Sequence, residues 1–258
     1  MPKRKKSDDL QMALVIIVVF LAGVLVAMQF IEPKEIIKQP INVVRNLNAP
    51  QVGGGTHVEM VVPAVDKDGK GVATTLVVDA QPGSGKILTN IDILLFWVDT
   101  QQSIQIARDV AENVTGMDAG SLDITYAMDV DNVTLIGGPS AGAALTLATI
   151  AALKGQAPNS DAAITGTINP DGSIGRVGSV LEKAGAVKRA GVKTFLVPKG
   201  ESTEKVVRPL EKCVEGVGFT YCETVFKEEK VNIGEALGID VVEVSSIAEA
   251  LPYFFSQA

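Results

Sequence analysis

The segment from Ser140 to Leu153 constrains the fold more than any other part of the chain, because it is apolar on every side. After the serine, its only polar side chains are those of Thr146 and Thr149. A helix that is apolar around its whole circumference belongs at the centre of a domain. We therefore predict a central buried helix here, with Gly155 as the residue that ends it.

Strand and helix patterns alternate on both sides of this helix. Two hairpins are predicted, one across the turn Asp66–Gly69 and one across Asn169–Gly172. The predicted strands are Val58–Val65, Gly71–Ala80, Lys86–Phe96, Leu122–Val130, Ala162–Ile168, Ser173–Val177, Thr194–Pro198 and Val241–Val244. Three other helices are predicted. One lies between Ser179 and Gly191 and another spans Ile247–Phe255. The third has an apolar face formed by Ile104, Ala107, Val110, Ala111 and Val114. The pattern indicates the α+β class, with mixed sheets and helices.

An uninterrupted apolar run from Met12 to Met28 stands near the N-terminus. With its neighbours it reaches the ~20 residues that cross a bilayer as a helix, and the basic residues before it orient the N-terminus towards the cytoplasm. A cleaved signal peptide is the alternative, and either one exports the rest of the chain. The predicted order is a basic cytoplasmic N-terminus (1–10), a transmembrane signal-anchor (11–31), a stalk rich in proline and glycine (32–55) and a folded domain (56–258).

Charge and the scarcity of metal ligands narrow the possible functions. A net charge of -7 repels a phosphate backbone, so we expect no nucleic-acid partner. His57 is the single histidine, which we predict to be a partly exposed loop residue, so one chain cannot build a two-histidine metal site. We expect no metal and no cofactor. Cys213 and Cys222 lack the spacing of a zinc or redox site and form either a small disulfide loop or two free thiols.

Ser140 is the first candidate for chemistry, since it follows Gly137-Gly138-Pro139 at the start of the predicted central helix. Free backbone N–H groups and the positive end of the helix converge at such a position. They stabilise an anion, either a phosphate or the oxyanion of an acyl-transfer intermediate. The alternative is a serine that only caps the helix.

Lys183 is the second candidate, because a serine hydroxyl needs a base and histidine is almost absent. It follows Ser179-Val180-Leu181-Glu182, which has the spacing of a capping box at a helix start. Apolar neighbours and the positive helix end both favour a neutral amine. The alternative is a solvated lysine on the helix surface.

Three ordered motifs resemble the proteolytic domain of Lon proteases, and the similarity covers most of residues 56–200. Lys183 follows Ser140 by 43 positions, which is the interval between catalytic serine and lysine in that family. A departure lies three residues before the serine, where Lon enzymes usually carry an acidic residue and this chain has Gly137. The similar segments are Gly138–Gly142, Thr165–Ile168 and Gly178–Lys183, with extensions at Gly83–Thr89, Ala190–Thr194 and Val197-Pro198.

The resemblance implies a fold like domain 2 of ribosomal protein S5 and a serine endopeptidase with a Ser/Lys dyad. Ser140 would be the nucleophile, Lys183 the general base, and Thr165 the residue that orients the lysine. Backbone N–H groups near Ser140 would form the oxyanion hole. The supporting residues of the serine motif would be Gly138, Pro139, Ala141 and Gly142.

The sequence contains no Gly-x-x-x-x-Gly-Lys-Ser/Thr loop, so it most resembles archaeal-type, membrane-anchored peptidases that hold only the Lon proteolytic domain. The resemblance implies ATP-independent cleavage of unfolded or extended polypeptides, contact with lipid through residues 11–31, and a ring-shaped homo-oligomer. One alternative is a catalytically inactive Lon-type domain that serves as a surface binding or assembly module. Another is a small-molecule kinase of the GHMP type, in which a similar loop binds ATP phosphates.

Overall fold

A computed structural model describes residues 54–90, 98–129 and 138–255. Its strands are β1 (Thr56–Val65), β2 (Gly71–Pro82), β3 (Ile87–Thr89), β4 (Leu122–Asp129), β5 (Ala162–Ile164), β6 (Thr167–Ile168), β7 (Ile174–Gly175), β8 (Thr194–Pro198), β9 (Thr203–Gly216), β10 (Phe219–Asn232) and β11 (Asp240–Val244). Its helices are α1 (Val98–Thr115), α2 (Gly142–Lys154), α3 (Val180–Arg189), α4 (Ile233–Leu237) and α5 (Ile247–Phe254). This mixture confirms the predicted α+β class.

The predicted anchor at 11–31 and the stalk up to residue 53 lie outside the described ranges. Within those ranges, no helix is both long enough and apolar enough to span a bilayer.

Helix α2 is central, as its apolar sequence predicts. Its residues from Gly142 to Leu153 are all buried. The hydroxyls of Thr146 and Thr149 donate to the carbonyls of residues 142 and 145 in the same helix, so their burial leaves no unpaired donor. Gly155 ends the helix in the left-handed conformation, with φ of 61° and ψ of 32°.

The sheets divide the apolar side chains into two cores. Strands β1, β2, β4 and β3 form one sheet in that order, antiparallel except for the parallel β3–β4 pair. It packs with α1, α2 and α5 around the larger core. Strands β11, β8 and β5 form a parallel sheet. Along β5 and β8, successive side chains alternate between two cores. One set packs into the larger core, and the other packs into a second core that includes α3 and α4. Both faces of these strands are therefore apolar.

Three predicted elements differ from the structure. The predicted strand Ala162–Ile168 is divided, because β5 joins β8 whereas β6 pairs with β7, and the backbone N–H of Gly166 between them donates to Ser140 instead of to a strand. The strand predicted over Lys86–Phe96 is described only at Ile87–Thr89, and residues 91–97 lie outside the described ranges. Val114, predicted to lie on the apolar face, is 41% exposed in the last turn of α1.

The segment that follows β8 forms a long hairpin of β9 and β10, with 14 residues in each strand. Cys213 and Cys222 are opposite each other in its register and are joined by a disulfide, which decides between the two possibilities left open by their spacing. The two strands form a separate sheet, and most of their side chains are exposed.

Candidate active site

Ser140 lies in a short 3-10 turn, Pro139–Ala141, that leads directly into α2. The residue at the cap position of α2 is Ala141, and no side chain caps either the turn or the helix. The structure therefore does not support the interpretation of Ser140 as a helix cap. The Gly142 N–H donates to the Pro139 carbonyl, so the serine lies within a backbone-bonded turn at the positive end of the helix.

The backbone at the junction of β5 and β6 holds this turn in place. The Ser140 carbonyl accepts a hydrogen bond from the Gly166 N–H at 2.9 Å and one from the Thr165 hydroxyl at 3.3 Å. The Gly166 carbonyl in turn accepts from the N–H of Ala143 at 3.0 Å. Thr165 is 1% exposed. Its hydroxyl thus holds the serine backbone, whereas the resemblance assigns it to orienting the lysine.

Gly142 allows the close approach of α2 to β6. A Cβ atom at this position would lie 2.7 Å from both the backbone nitrogen and a methyl carbon of Ile168, closer than real Cβ contacts allow. The second glycine of the serine motif is therefore needed to bring Ser140 against the β5–β6 junction.

Lys183 is buried in the first turn of α3, with 3% of its surface exposed. This burial excludes the alternative of a solvated surface lysine. Removal from water disfavours the ammonium form and lowers the pKa of Lys183 to about 8, although the carboxylates of Glu201, Glu182 and Glu204 oppose the shift. About a tenth of the amine is consequently neutral at pH 7 and about half at pH 8. A neutral amine is able to accept a proton.

The capping box predicted at the start of α3 is not formed. Ser179 has a left-handed backbone, with φ of 57° and ψ of 43°, whereas a capping serine is normally extended, and its side chain makes no capping hydrogen bond. The N–H of Leu181 instead donates to a carboxylate oxygen of Glu204 at 2.9 Å, 23 residues further along the chain. A side chain from β9 thus replaces the local cap.

Ser140 and Lys183 line the same cavity, which has a volume of about 350 Å³. Of the predicted supporting residues, Gly138, Pro139 and Ala141 line it too, while Thr165 and Gly142 lie behind its wall. The remaining lining residues are Val62–Val65, Thr74, Thr100, Met128, Thr167 and Arg176–Gly178.

Two carboxylates next to this cavity were not predicted. Glu201 is 7% exposed and accepts hydrogen bonds from Arg176 Nε at 3.0 Å and from the Val177 N–H at 3.2 Å. Glu204 binds the start of α3 as described above. Both lie beyond the motifs that the sequence analysis identified, so no motif indicates them.

His57 has no contact with the cavity lining. It lies in β1 rather than in a loop, is about half exposed as predicted, and contacts Asp79 at 2.6 Å and Glu59 at 3.3 Å. The hydrogen bond with Asp79 is the main cause that raises the pKa of this imidazole. Within the described ranges, no cluster of three or more His, Cys, Asp or Glu residues is arranged to hold a metal ion.

Comparison with known proteins agrees with the motifs. Residues 130–231 match the family model of the Lon protease (S16) C-terminal proteolytic domain. The chain is 30% identical to the Lon protease of Vibrio parahaemolyticus over 151 residues, which are 55% of this chain and 18% of that protein.

Two further Lon proteases match longer stretches. The protein of Acinetobacter baumannii is 29% identical over 187 residues, which are 70% of this chain and 20% of that protein. The protein of Methanosarcina barkeri is 32% identical over 162 residues, which are 62% of this chain and 20% of that protein. The chain thus spans a fifth or less of each of these three relatives. Residues 130–231 are thus similar to the Lon protease (S16) proteolytic domain, and this similarity supports a serine-type peptidase.

Proposed function

We propose that this chain is a serine endopeptidase in which Ser140 is the nucleophile and Lys183 is the general base. One observation carries the proposal: a buried lysine, whose pKa is lowered to about 8, lines the same cavity as a serine at the uncapped start of a central helix. The similarity of residues 130–231 to the Lon protease proteolytic domain agrees with this chemistry.

The proposed reaction has two stages. Neutral Lys183 accepts the proton of the Ser140 hydroxyl as its oxygen attacks the carbonyl carbon of the scissile peptide bond. Backbone N–H groups of the turn around Ser140, together with the positive end of α2, stabilise the resulting oxyanion. The Lys183 ammonium then donates its proton to the leaving amine, and water activated by the same amine hydrolyses the acyl-enzyme.

The proposed substrate is an extended or unfolded polypeptide. Strand β1 lies at the edge of its four-stranded sheet, and its end, Val62–Val65, lines the cavity beside Ser140. An edge strand offers backbone groups to which an extended peptide can add as a further strand. A cavity of about 350 Å³ has room for peptide side chains but not for a folded domain, so folded proteins should resist cleavage.

The test is hydrolysis of casein by the full 258-residue chain in a mild detergent, without ATP, between pH 6 and pH 10. We expect cleavage that rises with pH and disappears in Ser140→Ala and in Lys183→Ala. Ser121→Ala and Lys193→Ala are matched controls, because both residues are exposed and neither lines the cavity. Activity that persists in Ser140→Ala would refute the dyad, and folded wild-type protein without activity would favour the inactive binding module.

Membrane attachment and export of the domain are further proposals, based on the apolar run and basic residues near the N-terminus. An exported enzyme would act without ATP, as we also propose. Carbonate extraction of membranes from expressing cells tests the anchor, and digestion of intact cells by an added protease tests the side on which the domain lies. Release of the chain by carbonate would contradict the anchor.

A ring-shaped homo-oligomer is proposed from the family alone. Light scattering of the detergent-solubilised full chain measures the number of subunits, and a monomeric species that still cleaves casein would contradict a need for the ring.

A further inference from the structure

Glu201 is a buried carboxylate beside the cavity that the proposed reaction does not use. It lies in the short connection between β8 and β9, where its own N–H donates to the Pro198 carbonyl at 3.0 Å. The next residue, Ser202, donates its N–H to Glu243 at 3.1 Å. The backbone around Glu201 is therefore held on both sides, and its carboxylate has a defined position.

The hydrogen bonds of Glu201 reach two residues of the cavity wall. One carboxylate oxygen accepts from Arg176 Nε at 3.0 Å, and both oxygens lie within hydrogen-bond distance of the Val177 N–H, at 3.3 and 3.2 Å. Arg176 and Val177 both line the cavity that contains Lys183. Hydrogen bonds to an ionised acceptor are stronger than neutral ones, so this carboxylate is well suited to fixing that part of the wall.

We infer that Glu201 is a positioning residue of the active site, which holds Arg176 and Val177 against the cavity and keeps a negative charge close to the Lys183 amine. The inference rests on the proposed function and adds to it a residue outside the motifs identified in the sequence. Its two roles are separable, because one depends on the charge and the other on the reach of the side chain.

The charge acts on Lys183 together with two others. Among the described residues, the carboxylates that favour the ammonium form are those of Glu201, Glu182 and Glu204, in decreasing order of effect, and burial opposes them. Glu182 precedes the lysine on α3, and Glu204 reaches α3 from β9. Arg176 is the cation bound to Glu201, and its side chain is mostly exposed, so water screens its positive charge. Removing the Glu201 charge should therefore make the amine easier to deprotonate.

The titration of Lys183 can be measured without any hydrolysis. The full chain, labelled with [ε-13C]lysine and kept in a mild detergent, is followed by NMR from pH 6 to pH 11, and the Lys183 signal is identified by its loss in Lys183→Arg. In Glu201→Gln we expect the Lys183 midpoint to move to lower pH by roughly 0.5 to 1 pH unit. This is the order expected when one of several opposite charges near a buried amine is removed. Glu243→Gln is the matched control, since Glu243 contacts the neighbouring Ser202 and does not act on Lys183.

Peptide hydrolysis is then measured in the same variants. The rising limb of kcat/KM against pH should move with the NMR midpoint in Glu201→Gln, so that activity at pH 7, relative to its own plateau, increases about three- to fivefold. Glu201→Asp keeps the charge but has a shorter reach. It should leave the midpoint unchanged and raise KM, because Val177 is held less firmly along the cavity.

The outcomes separate this inference from the proposed function. An unchanged Lys183 midpoint in Glu201→Gln, or an equal change in Glu243→Gln, would overturn the role of the charge. If Glu201→Gln does not fold, an unaltered KM in Glu201→Asp would overturn the positioning role. A midpoint that moves in the NMR titration while the rising limb of hydrolysis stays in place supports the charge role of Glu201 and instead refutes Lys183 as the general base.

Discussion

Replacing Lys183 by methionine should stabilise the fold while abolishing hydrolysis. The side chain is 3% exposed, and burial lowers the pKa of its amine from 10.5 to about 8. Each unit of such a difference corresponds to about 1.36 kcal/mol between the two protonation states, so the charged amine costs the folded state up to about 3 kcal/mol. Methionine is unbranched, flexible and uncharged, so it can fill the same space without that cost.

The gain must depend on pH, and its sign follows from proton binding. Below about pH 8 the amine is charged in both the folded and the unfolded state, and the whole cost is present. Between about pH 8 and 10.5 the folded state has already lost the proton that the unfolded state still binds, so the wild-type free energy of unfolding rises with pH. Above that window the amine is neutral in both states, and the advantage of methionine disappears.

Urea unfolding of the full chain, followed by tryptophan fluorescence or circular dichroism at pH 7, 9 and 10.5, measures this difference. Lys193→Met is the control, because Lys193 is exposed and pairs with Asp161 on the surface, so its replacement should change the free energy of unfolding by no more than about 1 kcal/mol. A Lys183→Met protein that is no more stable than wild type at pH 7 would refute the reasoning. A gain that is the same at pH 7 and pH 10.5 would also refute it, since it would arise from packing rather than from charge.

Three other substitutions test the fold around the site. Leu147→Ala removes a fully buried side chain of α2 and should lower the free energy of unfolding by about 2–5 kcal/mol, as measured in urea; a loss below 1 kcal/mol would contradict the central position of this helix. Gly142→Ala would place a Cβ atom 2.7 Å from the backbone nitrogen of Ile168. Because this clash would displace the turn that holds Ser140, we expect kcat for casein peptides to fall at least tenfold. An unchanged kcat would argue against that contact. Cys213→Ser should remove about 2–3 kcal/mol of local stability from the hairpin closed by Cys222, seen as faster proteolysis within β9 and β10, whereas unchanged proteolysis would show that the disulfide does not limit opening.

The local sequence was sufficient to predict the elements that depend on a repeating pattern. The all-apolar run of α2, the alternation of Ile124, Tyr126 and Met128 in β4, and the β1–β2 hairpin around Asp66–Gly69 were all confirmed. In each case, neighbours within a few residues provide the periodicity, the burial pattern or the turn geometry. Motif and spacing in the sequence also indicated Ser140 and Lys183, and both line one cavity; their catalytic roles remain proposals.

Contacts between distant residues decided the rest. The spacing of Ser179 and Glu182 predicts a capping box, but the left-handed backbone at Ser179 prevents it. The Glu204 carboxylate caps the helix instead, by accepting from the N–H of Leu181, 23 residues away in the sequence. The position of Glu201, 25 residues from Arg176, is likewise set by the way the chain returns from β8. The apolar neighbours of Lys183 in the sequence favour a neutral amine, but the burial that lowers its pKa to about 8 is set by tertiary packing. Sequence patterns report which residues are able to be buried or charged, whereas desolvation and long-range hydrogen bonds exist only once the strands and helices have packed together.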